Sequence, residues 1–230
     1  MDIKDFPFLS TGEFSDACHK LEASYGLAEL GPRRNSWKLR LRTALGTIFY
    51  VSGTDTTYIQ ITCHLKPAID SNDALSLDLA NLQMSDPVEA DDIMVELEQL
   101  DTAALKALVP HQDPELVVYE IHLHPTYRVP CLWFSLHNLA SGEPSFDIDT
   151  IFRRLVPDEY KSGLRQVGGI GSISADHHPI TGVPCFFLHP CMVGDALSKF
   201  DCSTQNYLMI WLGLVGGCVG LWVPKEMAVQ

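Results

Sequence analysis

From Ser10 to Gly26 the apolar residues Phe14, Ala17, Cys18, Leu21 and Tyr25 recur at three- and four-residue steps, the period of one helix face. The pattern predicts a short amphipathic opening helix with Gly26 as its C-cap. Trp37 to Leu41 and Tyr58 to Leu65 alternate apolar with polar residues or carry β-branched side chains, which predicts two strands, the second closed by Pro67. Leu116 to His124 and Val129 to His137 read as a further pair of strands, and the intervening Pro125 to Arg128 has the length of a hairpin turn. Asp147 to Leu155 has helical spacing, Pro184 to Leu188 is an apolar strand, and Met192 to Phe200 and Asn206 to Trp222 are closing helices. This succession of elements belongs to an α+β domain: an opening helix, a mainly antiparallel sheet, and C-terminal helices over one face.

Two segments break the pattern. Between Tyr207 and Val223 there is no charge, and Gly213/Gly217 and Gly216/Gly220 have the small-xxx-small spacing of transmembrane helix pairs. The run is only 17 residues long, carries four glycines, and ends at Pro224 without flanking basic residues. A buried terminal helix, its glycines allowing close approach to a sheet, fits it better than a membrane span. Asp70 to Lys106 holds ten acidic residues and one lysine, so this stretch supplies −9 of the formal charge of −13. Ser71 to Asp86 reads as a solvated loop, whereas Ile93, Leu97, Leu100, Leu105 and Leu108 have the spacing of one or two amphipathic helical turns. The segment is either a surface insertion or an acidic arm that recruits a partner.

With 230 residues, 46% of them hydrophobic, the chain can bury a proper core. Its net charge excludes nucleic acid and anionic membrane surfaces as partners and favours proteins with basic patches. Seven cysteines is an odd number, none forms a C-x-x-C pair, and Met1 to Asp5 lacks the apolar run of a signal peptide, so free thiols in a reducing cytoplasm are expected.

Chemistry concentrates at Phe186 to Cys191, Phe-Phe-Leu-His-Pro-Cys. Pro190 fixes its own φ and drives His189 toward extended backbone, so the thiol of Cys191 is presented at a fixed place, as a nucleophile requires. The same geometry makes His189 a poor base for Cys191 and suits it to a structural hydrogen bond. A zinc site built from Cys185, His189 and Cys191 with His177 or His178 has a Cys-x5-Cys spacing that fits no zinc knuckle, and no metal or cofactor is expected. A cysteine hydrolase, with His124, His177, His178 or His189 as its base, stands as an alternative. Val-Pro-Cys occurs twice, at Val129 to Cys131 and Val183 to Cys185, too short a match to read as an internal repeat. Cys131 and Cys185 are expected as core residues on neighbouring strands.

The succession Tyr127-x-Val129-Pro130-x-Leu132-x-Phe134, His178-Pro179-Ile180-x-Gly182-x-Pro184-x-Phe186-Phe187-Leu188, His189-Pro190-Cys191, Asn206-Tyr207-Leu208 with Trp211-Leu212, and Val219-Gly220-Leu221 resembles the ubiquitin-like conjugating enzymes of autophagy. Among them it is most similar to the autophagy-related protein ten family. The resemblance covers about Leu116 to Pro224, more loosely the opening helix and first strands, and leaves out the acidic insertion at 70–112. It implies one ubiquitin-conjugating-enzyme-like domain over 1–230. It further implies that Cys191 takes the ubiquitin-like autophagy-related protein twelve as a thioester from an activating enzyme, autophagy-related protein seven, and passes it to a lysine of autophagy-related protein five. The chain has no His-Pro-Asn motif to supply the usual oxyanion donor, so Tyr127, His177 and His178 are the candidates for that role. Tyr127 could instead pack across the hairpin, and the two histidines could be solvated loop residues. A non-catalytic adaptor of the same fold, with Cys191 a bystander and a hairpin edge open to strand addition, is the competing class.

Overall fold

The computed structural model describes residues 3–45, 55–65, 113–140, 142–165 and 172–228. The acidic segment, with its expected loop and helical turns, lies outside them. The unit treated below comprises Met1–Leu65 together with Glu115–Gln230.

Helix α1 runs over Thr11–Leu27. Ser10 starts it with a capping box: its hydroxyl accepts the Glu13 amide at 3.3 Å, and the Glu13 carboxylate accepts the Ser10 amide at 2.8 Å. Gly26 lies inside the last turn, and the C-cap is Ala28 in extended backbone. No left-handed residue is required there because Arg34 closes the end, its guanidinium donating to the carbonyls of Tyr25 and Ala28 and stacking over the Tyr25 ring. Arg34 belongs to a one-turn helix, α2 (Arg33–Ser36), too short to leave a periodic signature.

Strands β1 (Trp37–Leu45), β2 (Asp55–His64), β3 (Leu116–Leu123), β4 (Pro130–His137), β5 (Ile173–His177) and β6 (Pro184–Leu188) form one sheet in the order β1-β2-β3-β4-β6-β5, antiparallel throughout. Its register lines Leu39, Ile61, Tyr119, Phe134 and Phe186 across the inner face. All five are buried, and each such side chain contributes about 2 kcal/mol through removal from water. The row one residue over, Arg40, Gln60, Glu120, Trp133 and Phe187, occupies the outer face. Strand β4 is buried from Pro130 to Phe134, and on its outer side Trp133 packs against the Phe187 and His178 rings of the β5–β6 hairpin. Cys131, Trp133 and Cys185 form a small cluster there, which places the two cysteines on neighbouring strands as expected.

Between β4 and β5 lie α3 (Ile148–Arg154), capped by Asp147 accepting the Thr150 amide at 2.8 Å, and α4 (Asp158–Arg165). After β6 come a 3-10 turn over Pro190–Met192, α5 (Val193–Leu197) and α6 (Tyr207–Val215). Helix α6 packs against α1 on the inner side of the sheet. Trp211 and Leu212 are buried, and the Tyr207 hydroxyl donates to the Pro7 carbonyl at 2.6 Å. The closing helices are shorter than the apolar pattern predicts. A 3-10 turn, Gly216–Val219, follows α6, and Gly220 turns the chain at φ 71°. The glycines serve this turn rather than an approach to the sheet: a Cβ on Gly216 would lie 2.5 Å from the Leu221 carbonyl, and one on Gly220 would lie 2.9 Å from that of Leu155. Among the described residues no helix is long and apolar enough to cross a membrane.

Candidate active site

Leu188 ends β6, and the antiparallel pairing of β4 with β6 brings that end beside the start of β4, where the Cys131 thiol donates to the Leu188 carbonyl at 3.4 Å. The β3–β4 turn, which begins at His124 and ends at Val129, therefore stands next to His189, Pro190 and Cys191. The Tyr127 ring meets the His189 ring edge-on, 5.6 Å between centroids, and lies 4.8 Å from that of His124. His189 accepts the Cys191 amide at Nδ1, 3.2 Å, which sets the 3-10 turn that carries the thiol. With Nδ1 an acceptor, a neutral His189 keeps its ring proton on Nε2. Cys191 is exposed, and so are Met192 beside it and Phe8, whose ring lies 3.4 Å from where a Gly194 Cβ would stand.

The other thiols are less exposed. Cys18, Cys131, Cys185 and Cys218 are buried, and Cys63 and Cys202 are half-buried. Burial pushes the Cys63 thiol up to about 12 and those of Cys185 and Cys218 up to about 11, and it raises Cys18, Cys131 and Cys202 as well.

His177 and His178 lie elsewhere. His177 pairs with Pro184 at the start of β6, while Leu188, paired with Ile173, ends the strand nearest Cys191. Four residues of strand, about 13 Å, separate the two ends. Their order along the chain suggests neighbours of Cys191, but the pairing of β5 with β6 carries these histidines to the far end of the hairpin, and the structure groups only Tyr127 of the three with Cys191. His177 is exposed beside Asp176. His178 is buried, accepts the Ile180 and Thr181 amides at Nδ1 (both 3.3 Å), and donates from Nε2 to Glu120 at 2.9 Å.

Glu120, His122 and His178 converge closely enough to suggest a metal centre. The hydrogen bonds give the cluster another character. Because His178 Nδ1 accepts two amide protons, its Nε2 carries the ring proton and has no lone pair for a metal. One Glu120 oxygen takes His122 and His178, at 3.0 and 2.9 Å, and the other takes the Gln60 amide at 2.9 Å. Burial opposes the charge on Glu120, yet the His122 and His178 ring N–H groups hold its pKa far below the ordinary carboxylate range. The cluster fastens the β5–β6 hairpin to the outer face of β3. A cavity of about 370 Å³ opens beside it, lined by Gln60, Val118, Ser135, His178 and Cys185, on the side of the hairpin away from Cys191.

The family described as autophagocytosis associated protein, active-site domain, matches residues 13–226 of the chain. The Ubiquitin-like-conjugating enzyme ATG10 of Gibberella zeae is 58% identical over 236 residues and covers the whole of both chains. The chain belongs to the ATG10 family of ubiquitin-like-conjugating enzymes. More distant members match about half of it: human ATG10 is 34% identical over 122 residues, 50% of this chain and 54% of its own, and that of Arabidopsis thaliana 31% over 142 residues, 57% and 61%. The protein is thus a ubiquitin-like conjugating enzyme of autophagy, a transferase on an α+β fold.

Proposed function

We propose that Cys191 is the nucleophile that carries a ubiquitin-like protein as a thioester, and that Tyr127 assists its transfer to an amine. The observation that supports this most directly is the contrast among the thiols: one is exposed, on a turn set by His189, while four are buried and two half-buried. In the first step the Cys191 thiolate attacks the C-terminal carbonyl held as a thioester on an activating enzyme, a new C–S bond forms, and the activating enzyme's thiolate leaves. In the second, a neutral lysine amine attacks that carbonyl, the C–N bond forms, the amine proton passes to solvent, and the Cys191 thiolate departs. Negative charge gathers on the carbonyl oxygen between these events, and the Tyr127 hydroxyl is the donor this reading assigns to it. This reading gives no part to His177 and His178, which lie toward the far end of the β5–β6 hairpin.

Within the ATG10 family the reading takes the carried protein as autophagy-related protein twelve, the activating enzyme as autophagy-related protein seven, and the acceptor as a lysine of autophagy-related protein five, in the cytoplasm. The test incubates the protein with that activating enzyme, ATP and the ubiquitin-like protein and follows it on non-reducing gels. A reducible band shift, converted by Cys191→Ser into one that resists thiols but yields to hydroxide, is the expected result. A shift that survives Cys191→Ala would remove Cys191 from the mechanism, and no shift at all in the wild type would favour the adaptor.

A further inference from the structure

The two hairpin turns of the sheet are one structure built twice. In the β3–β4 turn His124 donates its amide to the Val129 carbonyl at 3.0 Å and accepts the Arg128 amide at its own carbonyl, 2.8 Å. In the β5–β6 turn His178 does the same with Val183 and Gly182, at 2.9 Å each. Each turn has a left-handed residue in the fifth position, Arg128 at φ 51° and Gly182 at φ 68°. Each is held from inside by its histidine: Nδ1 of His124 accepts the Thr126 and Tyr127 amides at 3.2 Å, and Nδ1 of His178 accepts those of Ile180 and Thr181 at 3.3 Å. His189-Pro190-Cys191 repeats the first of these bonds, Nδ1 accepting the amide two residues on. The proline in each case bars its own position from donating, so the ring serves the next amides along.

We propose that His124 is a positioning residue for transfer: its neutral ring, by accepting two amides at Nδ1, fixes the turn that holds Tyr127 against His189 over the Cys191 turn. The inference rests on Cys191 and Tyr127 acting as described under Proposed function. Two of the three His-Pro units, at 124 and 189, thus meet through the Tyr127 ring, 4.8 Å from one and 5.6 Å from the other. The third, at 178, holds its turn to Glu120 instead. A protonated His124 would present an N–H to two N–H donors and lose both bonds. Partial burial and the neighbouring His189 lower its pKa, which keeps the accepting form. The turn is exposed, and besides the Arg128 bonds to Leu9 and Asp5 its conformation depends on these local bonds more than on a surrounding core.

The test compares His124→Leu, which has no acceptor, with His124→Asn, whose side-chain oxygen can accept the same amides as in an Asx turn. Wild type and both variants are charged at Cys191, freed of activating enzyme, and mixed with acceptor amine in a single turnover. Charging should proceed in all three, while discharge of the leucine variant falls about tenfold, the scale of two neutral backbone hydrogen bonds, and the asparagine variant recovers most of it. In the wild type the His124 Nδ1 resonance should be that of an unprotonated nitrogen at neutral pH, and the Thr126 and Tyr127 amides should exchange faster in the leucine variant only. Wild-type discharge by the leucine variant, an asparagine variant as slow as leucine, or a protonated Nδ1 would each overturn the inference while leaving Cys191 in place. A wild type that takes no thioester at Cys191 would overturn both the reading and the inference.

Discussion

Arg128 and Gly182 stand at the same position of two matching turns, 54 residues apart, each in left-handed backbone and each donating its amide to the carbonyl of the histidine that opens the turn. Arginine tolerates the position where it can bond outward, and its guanidinium reaches Asp5 at 2.8 Å and the Leu9 carbonyl at 3.3 Å. Glycine needs no such support. The shared geometry makes the conformational preference measurable at the simpler site.

Gly182→Ala should cost about 1 kcal/mol, since φ 68° disfavours a Cβ while among the described residues nothing lies within 4 Å to clash with one. The loss should show in chemical denaturation as a lower midpoint with an unchanged slope. An unaltered midpoint would mean that the turn relaxes to another conformation.

Thiol reactivity should single out Cys191. In the folded protein at neutral pH a maleimide should label Cys191 first and Cys202 next, and Cys18, Cys131, Cys185 and Cys218 only on the timescale of opening, because they are buried and their thiolates disfavoured. Peptide mapping after brief labelling reads the order directly. Early labelling of Cys131 or Cys185 would show that the β5–β6 hairpin separates from β4.

Tyr127→Phe should slow discharge of a charged enzyme to an amine by roughly a hundredfold, the size of one oxyanion donor, and affect charging far less. The proposed reading assigns this hydroxyl to discharge alone, with charging taking place at the activating enzyme's own site. His177→Ala, at the far end of the hairpin, should discharge like the wild type. Equal rates for wild type and Tyr127→Phe would withdraw the tyrosine from the mechanism.

Acid should weaken the fold in two stages. Burial lowers the pKa of His122, and partial burial that of His124, so the unfolded chain takes up their protons first and stability declines as pH falls below about 6.5. Glu120, depressed in the folded state, adds its loss only below about 4.3. The melting temperature of His122→Gln, lower overall, should fall less between pH 7 and 5 than that of the wild type, with the steeper decline at lower pH retained. Parallel curves through that window would show that His122 does not titrate on unfolding.

Local signals determined most of the element map. The helical period of Phe14, Ala17, Cys18, Leu21 and Tyr25 and the two runs flanking Pro125 to Arg128 depend on residues close in the chain, and α1, β3 and β4 fall within one or two residues of where the pattern put them. The proline before Cys191 likewise marked the exposed thiol, because φ restriction acts on its immediate neighbours. Elements with weak periods were missed: α2 has four residues, and β5, Ile-Ser-Ala-Asp-His, is an edge strand with little buried surface to impose alternation. In the run from Asn206 to Trp222 composition could not show that Gly220 turns left-handed against the Leu155 carbonyl, since that contact joins residues 65 apart. The site was decided in the same way. Order along the chain makes His177 and His178 seem neighbours of Cys191, but antiparallel pairing of β6 with β4 delivers the turn at 124–129 to the thiol and carries the turn at 178–183 to the opposite end. Only the strand order could choose between the two His-Pro turns, because locally they are the same structure.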